Sequence, residues 1–243
     1  SRKKRFPGST PRFFAVSGGF FYLCGFDPNF MTRINTPKEV LALAGSSAAD
    51  KLQNTAGKTL ILAFLAGAYI AIGGLFSLMA VFGFPGAAEA PGFQRLLSGA
   101  VFPLGLILVV FTGAELFTGN NAVLMPGALA RRYGWGKVAR NWTLVWMGNF
   151  AGALFFTYFL VVLPGVLSSE MWREAACNIA QAKVSLPWST VFLRGVGANW
   201  LVCLAVWLGM SANDVPGRML GLFFPIMCFV VIGYEHCIAN MFF

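Results

Sequence analysis

Long apolar runs without charge are the feature of this sequence that most limits how it can fold. The run from Thr59 to Phe82 carries no charged residue. It is long enough for a helix to cross the hydrocarbon core of a bilayer, which takes roughly 20 residues. Further apolar runs, with few charged residues or none, occupy 98–130, 141–163, 190–212 and the region from 217 onward. Only 11% of the residues are charged, against about 25% in soluble domains. The pattern predicts an all-α membrane protein with several spans.

The chain divides into a tail, residues 1–36, and a membrane domain, residues 37–243. The start of the tail is basic and free of acids, which is typical either of the remnant of a transit peptide or of a cytoplasmic topology signal. The segment Thr36-Pro37-Lys38-Glu39 is a helix-start pattern, with its threonine as N-cap and its glutamate completing a capping box. We therefore expect a helix over 37–53 that lies along the membrane surface.

Lysine and arginine residues are distributed unevenly between the two sides of the predicted membrane domain. If the spans alternate in direction, the N-terminal segment shares one face with the loops at 131–140 and 213–218, and this face holds most of the basic residues. The opposite loops hold only Arg95, Arg173 and Lys183. Because cytoplasmic loops carry the excess of Lys and Arg, we predict that the N-terminus is inside. The membrane would be the plasma membrane, or a plastid envelope if the tail is a transit peptide.

Two of the apolar regions are interrupted by the same residue pattern. The segments 113–121 and 233–240 both read Gly-x-Glu-x-x-x-small-Asn, and they start 120 residues apart. They fall in the second and the fifth span, so the equivalent elements must be inverted relative to each other. Matching interrupted helices in two halves are typical of a transport site near the midplane. We predict a repeat of three plus three spans, the first over about 59–163 and the second from about 187, with the sixth span missing from this sequence.

Glu115 and Glu235 are the acids predicted to lie inside spans, where a charge costs about 2.5–3.5 kcal/mol. Unwound backbone leaves N–H groups that lipid cannot satisfy. We expect the two carboxylates to accept hydrogen bonds from these groups and to brace the interruptions, with direct solute contact as the alternative. Asn120 and Asn240 are expected to cap the half-helices that follow. The N-termini of such half-helices favour an anion.

His236 is the only histidine in the chain, and it lies in the second interruption. A ring that titrates near neutral pH can hand a proton to a passing weak acid; the alternative is a neutral ring that only lines the path. Asn199, inside the fourth span, either hydrogen-bonds the solute or bridges two helices. Lys183, in the loop predicted over 164–187, would by charge alone be a solvated cation.

The sequence offers little from which to build a membrane enzyme. The five cysteines are odd in number and irregular in spacing, which indicates neither a disulfide framework nor a zinc site. A Gly-x-Ser-x-Gly nucleophile motif is also missing. We predict no catalytic residue, no metal, no cofactor and no nucleic-acid partner.

Five segments together give the chain a specific signature. They read ELFTGN (115–120), KVARNW (137–142), GNFAGA (148–153), NWLVCLAVW (199–207) and GYEHCIANM (233–241). Through these segments the chain resembles the formate/nitrite transporter family over roughly residues 37–243.

This resemblance implies a homopentamer of aquaporin-like protomers, each with its own pore for a small anion such as formate or nitrite. His236 would be the central histidine of the pore, faced by Thr118. Asn199 would be the pore asparagine and Lys183 the vestibule lysine. Two narrow apolar rings would bound the central site. One would include Phe102 and Phe229, and the other would include Leu106, Leu116, Phe117 and Val202.

The resulting functional hypothesis is transmembrane transport of small monovalent anions or weak acids, linked to protons through His236. The alternative is an aquaporin-like channel for small neutral solutes. Against this alternative, Asn120 and Asn240 do not belong to the paired Asn-Pro-Ala motifs that such channels carry.

Overall fold

The computed structural model describes residues 34–82 and 89–243, which form helices joined by short turns. The helices are α1 (Pro37–Gln53), α2 (Ala56–Val81), α3 (Pro91–Val101), α4 (Leu104–Thr112), α5 (Phe117–Leu129), α6 (Trp135–Phe155), α7 (Glu170–Val184), α8 (Trp188–Ser211) and α9 (Val215–Ile232). A π-helical stretch, Phe156–Val162, continues α6, and a short 3₁₀ helix, Ala239–Met241, follows the interruption after α9. The prediction of a transit peptide falls on residues 1–33, outside the described residues.

Five helical stretches among the described residues are long and apolar enough to cross a membrane. They are Ala56–Val81, Pro91–Thr112, Trp135–Val162, Trp188–Ser211 and Val215–Ile232. Each corresponds to one of the predicted spans, so the predicted all-helical multi-pass architecture is confirmed. Large apolar side chains such as Leu193 and Trp200 on α8 are exposed, as a surface in contact with lipid or a neighbouring subunit requires.

The helix predicted over 37–53 is present as α1 with the predicted capping box. Thr36 Oγ1 accepts a hydrogen bond from the Glu39 backbone N–H at 3.4 Å, and the Thr36 N–H donates to Glu39 Oε2 at 2.8 Å. Just before α1, the Asn35 side chain donates to the carbonyl of Met210 at the end of α8 at 2.8 Å. The start of α1 is therefore held against the end of the fourth span.

Two predictions are wrong because helix lies where none was expected. The second span begins before residue 98, the predicted start of its apolar run, since Pro91 occupies the first turn of α3, a position that suits proline. The loop predicted over 164–187 contains α7. Its Glu, Ala, Met and Gln residues are good helix formers, and the helix as a whole is too polar for a span. The second correction matters for the site, because Lys183 lies in the last turn of α7.

Two glycines allow α2 and α6 to pack with their backbones in contact. Gly67 on α2 lies against the backbone of Asn149, and Gly152 on α6 lies against the backbone of Phe64. A Cβ atom at either glycine would overlap a carbonyl oxygen of the other helix. Membrane helices use small residues at such crossings to approach closely. The contact also positions Asn149, whose side chain reaches the first interruption.

Replacement of Gly152 by alanine is expected to destabilise the protein by about 1–3 kcal/mol, because α2 and α6 must separate to accept the methyl group. The matched control is Gly136→Ala on the same helix, where the added Cβ meets open space. Thermal unfolding of the full-length protein in detergent measures both. An unfolding temperature of Gly152→Ala equal to that of the wild type would contradict this packing.

Candidate functional site

The two predicted interruptions begin with the same backbone conformation, a glycine with a positive φ angle that ends the preceding helix. Gly113 and Gly233 end α4 and α9 with positive φ angles of 71° and 81°, a conformation that glycine adopts without steric penalty. The next residues, Ala114 and Tyr234, donate their N–H groups to the carbonyls of Val109 and Phe229, both at 3.0 Å. The first interruption is shorter than predicted, since α5 already begins at Phe117.

The asparagines of the motif are not the N-caps that we predicted. The N-cap of α5 is Leu116, and Asn120 lies one turn inside that helix. Asn240 lies within the short 3₁₀ helix. Both side chains instead hold the glutamate five residues earlier: Asn120 Nδ2 donates to Glu115 Oε2 at 2.7 Å, and Asn240 Nδ2 donates to Glu235 Oε2 at 2.9 Å.

The backbone of the first interruption is satisfied by groups other than the glutamate side chain. The N–H of Phe117 donates to Asn149 Oδ1 at 3.0 Å, and the N–H of Glu115 donates to the carbonyl of Leu62 at 3.2 Å. Asn149 Nδ2 in turn donates to the carbonyl of Glu115 at 2.8 Å. The prediction that the Glu115 carboxylate accepts from these N–H groups is therefore wrong. The helix contacts of α2 and α6 provide that bracing.

Each glutamate is paired with a lysine from a surface helix. Lys183 Nζ, at the end of α7, lies 2.6 Å from Glu235 Oε2 and 2.9 Å from Asn240 Oδ1. Lys51 Nζ, at the end of α1, lies 3.0 Å from Glu115 Oε2. The two interruptions thus share a Lys–Glu–Asn constellation.

Lys51 was missed by the sequence analysis, although a signal for it existed. Both lysines stand five residues before the span that follows them, Lys51 before Ala56 and Lys183 before Trp188. The inverted repeat therefore includes the surface helix in front of each half. Extension of the repeat upstream of the spans would have identified the pair.

The centre of the site is a hydrogen bond between the two interruptions. Thr118 Oγ1 and His236 Nε2 are 3.0 Å apart, and both residues are buried. The backbone N–H of Ala239 donates to His236 Nδ1 at 3.1 Å. Because Nδ1 accepts this bond, the ring proton is on Nε2, which donates to the Thr118 oxygen. The threonine keeps its own O–H as a free donor.

Residues of both predicted apolar rings pack into one buried apolar cluster beside this hydrogen bond. The Phe102 and Phe229 rings meet edge to face at 5.7 Å, and Phe229 stacks on His236 at 5.6 Å. Leu106, Leu116 and Val202 lie buried in the same apolar cluster. Phe117 packs against this cluster and places its ring edge-on against Trp142 at 6.1 Å.

Two cavities approach the centre from opposite directions. The first, of about 190 Å³, is lined by residues that include Lys183, Asn240, Phe102, Phe229 and His236, and we call it the α7-side vestibule. The second, of about 330 Å³, is lined by residues that include Lys51, Asn120, Leu106, Leu116 and Arg218, and we call it the α1-side vestibule. Each vestibule is thus lined by a lysine and by residues of one predicted apolar ring.

Asn199 does not hydrogen-bond with the central pair. Its Oδ1 accepts from Asn121 Nδ2 at 3.3 Å, and its Nδ2 lies 3.6 Å from Cys203 Sγ. The Cys203 thiol in turn points to the carbonyl of Thr118 at 4.0 Å. Asn199 therefore joins α8 to α5 behind the central threonine, as in the helix-bridging alternative.

Comparisons with known proteins agree with this geometry. The family profile described as "Formate/nitrite transporter" matches residues 38–243. The chain is 41% identical over 222 residues to the "Probable formate transporter" of Methanothermobacter thermautotrophicus, covering 86% of this chain and 81% of that protein. It is 35% identical over 206 residues to the "Formate channel BtFdhC" of Bacillus thuringiensis, covering 85% and 78%. A solved "Pentameric formate channel with formate bound" matches with a TM-score of 0.71 and 36% identity, over 77% of this chain and 72% of that chain.

Two interrupted helices that meet at a buried polar pair between two vestibules define a membrane channel or transporter for a small solute. The chain belongs to the formate/nitrite transporter family, so the predicted resemblance is confirmed. It is an anion channel or transporter of the formate/nitrite type and not an enzyme.

Proposed function

We propose that this protein carries formate, nitrite or a similar small monovalent anion across the membrane together with a proton. The observation that carries the proposal is the buried Thr118–His236 hydrogen bond. Two cavities support it, because each is lined by a lysine and by residues of one predicted apolar ring. A lysine at each vestibule favours an anionic solute over water or glycerol, because a fixed cation raises the local concentration of anions.

The first step is collection of the anion in a vestibule. Lys183 lies 2.6 Å from Glu235, so its charge is partly neutralised, yet its side chain keeps contact with the cavity. A cation in a cleft with low-dielectric walls raises the local concentration of anions. Lys51 plays the same part in the α1-side vestibule.

The second step is passage through an apolar ring. A bare anion would lose its hydration there without compensation, which is unfavourable by many kcal/mol. A weak acid that takes a proton from vestibule water avoids this penalty and crosses as a neutral molecule. Flux should therefore rise as the pH falls, since more of the solute is then protonated.

The third step is a hydrogen bond at the centre. His236 donates through Nε2 to the Thr118 oxygen, and this polarises the threonine hydroxyl for donation to an oxygen of the solute. A second proton on His236 Nδ1 would first require release of the Ala239 N–H. We propose that proton linkage depends on this ring staying neutral, because no positive charge is then present at the centre to balance a bare anion, and the solute passes with its proton. Asn199 positions Thr118 indirectly, through the Cys203 thiol that points to the Thr118 carbonyl.

The protein is proposed to act as a homopentamer with a separate pore in each protomer. The support is the solved pentameric formate channel that this chain matches, together with the exposed apolar side chains of α6 and α8, such as Phe150 and Trp200. The distribution of Lys and Arg favours an orientation in which α1 and the tail are inside. The membrane would be the plasma membrane or, with a transit peptide, a plastid envelope.

Labelled-solute counterflow in liposomes tests the proposed function. The full-length protein is expected to exchange formate and nitrite faster at about pH 5 than at about pH 8, and to leave glycerol permeability at the level of empty liposomes. Lactate measures how large a weak acid the site accepts. Glycerol flux without formate exchange would establish the neutral-solute channel instead.

A further inference from the structure

The two vestibules are built from equivalent elements but differ in one pair of residues. The contact between α2 and α3 in the first half corresponds to the contact between α8 and α9 in the second half. At the α7-side vestibule, Ser77 on α2 meets Ser98 on α3, and their hydroxyl groups hydrogen-bond each other. At the α1-side vestibule, Gly209 on α8 meets Arg218 on α9, and Arg218 Nε donates to the Gly209 carbonyl at 3.3 Å.

The equivalence follows from two independent spacings. Ser77 and Gly209 are separated by 132 positions, like the lysines Lys51 and Lys183 that precede the two halves. Ser98 and Arg218 are separated by 120 positions, like the two interruptions that follow them. The hydroxyl pair of Ser77 and Ser98 at the α7-side vestibule thus corresponds to the Arg218 guanidinium at the α1-side vestibule.

We propose that Arg218 and Lys51 form an anion subsite at the α1-side vestibule, and that Arg218 makes this vestibule bind the transported anion more tightly than the opposite one. This inference rests on the proposed function. Both cations line the same cavity of about 330 Å³. A guanidinium has five donors, and the Gly209 carbonyl occupies one of them. The remaining donors match the planar oxygens of formate or nitrite.

The charges around the two vestibules favour this difference. Among the described residues, Arg218 has no carboxylate within 4.0 Å, whereas Lys51 is paired with Glu115. On the α7 side the second cation is Arg194, whose Nη1 lies 3.8 Å from Glu235 Oε1. Arg194 therefore shares the carboxylate that Lys183 already contacts. The guanidinium of Arg218 is the cation that remains available to a solute.

The geometry also explains why Arg218 is held in place. It stands in the first turn of α9, next to Asp214, whose side chain accepts the N–H of Gly217 and caps the helix. The bond from Arg218 to the Gly209 carbonyl fixes the arginine stem against α8. Less side-chain entropy is then lost when an anion binds.

Sided formate uptake by the full-length protein tests the inference. Proteoliposomes of one orientation are captured through an affinity tag in the N-terminal tail, and the half-saturating formate concentration is measured from each face. Arg218→Ser is expected to raise this value about three- to fivefold at the α1 face, the effect of one partly exposed charge. At the α7 face the change should stay within about 1.5-fold, and high salt should reduce the difference between the faces.

Two further variants control for simple loss of structure. Arg218→Lys keeps the charge and is expected to restore most of the affinity at the α1 face. The exchange of Ser98→Arg with Arg218→Ser is expected to move the tighter binding to the α7 face. Equal values for Arg218→Ser and wild type, or an equal rise at both faces, would overturn the role of Arg218. A wild-type protein that moves no formate from either face would overturn the proposed function, and this inference with it.

Discussion

Replacement of His236 by phenylalanine in the full-length protein is expected to lower formate flux about ten- to a hundredfold, the effect of losing one hydrogen bond to a charged or strongly polar group. The phenyl ring keeps the stacking on Phe229 but cannot donate to Thr118. The hydroxyl of Thr118 is then no longer polarised, and the two apolar rings merge into one long barrier. Labelled formate uptake into liposomes between about pH 5 and about pH 8 measures the effect.

His236→Gln is the control for this experiment, because its amide keeps an N–H donor of similar reach. It is expected to retain more flux than the phenylalanine variant, while both variants remain folded by size-exclusion chromatography. Normal formate flux in His236→Phe across this pH range would refute a role for the imidazole in transport.

Replacement of Lys183 by methionine is expected to lower formate flux about tenfold, because Glu235 then presents an uncompensated charge to the arriving anion. Lys183 is the nearest cation to this carboxylate, at 2.6 Å, and Arg194 is further away at 3.8 Å. Uptake at several formate concentrations should show the loss chiefly as weaker apparent affinity.

The double variant Lys183→Met with Glu235→Gln separates charge from structure. It removes both members of the pair, so flux should return to within about threefold of the wild type. Lys137→Met, an exposed position at the start of α6, is the matched lysine control and should have no effect. A double variant as impaired as the single one would show that flux needs the lysine itself and not only the neutralisation of Glu235.

The spans and interruptions could be predicted because their signals are local. A run such as 59–82 has no charged residue that would favour exposure to water. Gly113 followed by Glu115 is unfavourable within an apolar helix in lipid, because it places a flexible residue and a charge inside the span. Repetition of that pattern at Gly233 and Glu235 then indicated an inverted repeat. These arguments need no knowledge of what the residues contact.

The partners of the polar residues could not be predicted from local patterns, because they come from distant parts of the chain; for Lys51 only the repeat carried a signal. Asn149 reaches the first interruption only because Gly67 and Gly152 bring α2 and α6 into backbone contact. Lys51 meets Glu115 because α1 packs against α5, which follows Glu115. Its charge alone is indistinguishable from that of a solvated lysine.

Asn120 was predicted to be an N-cap by a local rule that holds in many helices but does not apply at this position. Asparagine near the start of a half-helix is a reasonable N-cap, but the helix begins four residues earlier than that cap requires. The amide is then free to join Glu115 to Asn141 on α6, at 2.7 and 2.9 Å. A tertiary contact replaced the local one.

The central claim is that two inverted interruptions form a route for a small acid around one imidazole. The most direct test is proton uptake into liposomes that contain a pH-sensitive dye and the full-length protein, started by an inward formate gradient. We predict rapid, saturable acidification that is faster at lower external pH and about ten- to a hundredfold slower in His236→Phe. Acidification that equals that of protein-free liposomes, or that is unchanged in His236→Phe, would contradict the account.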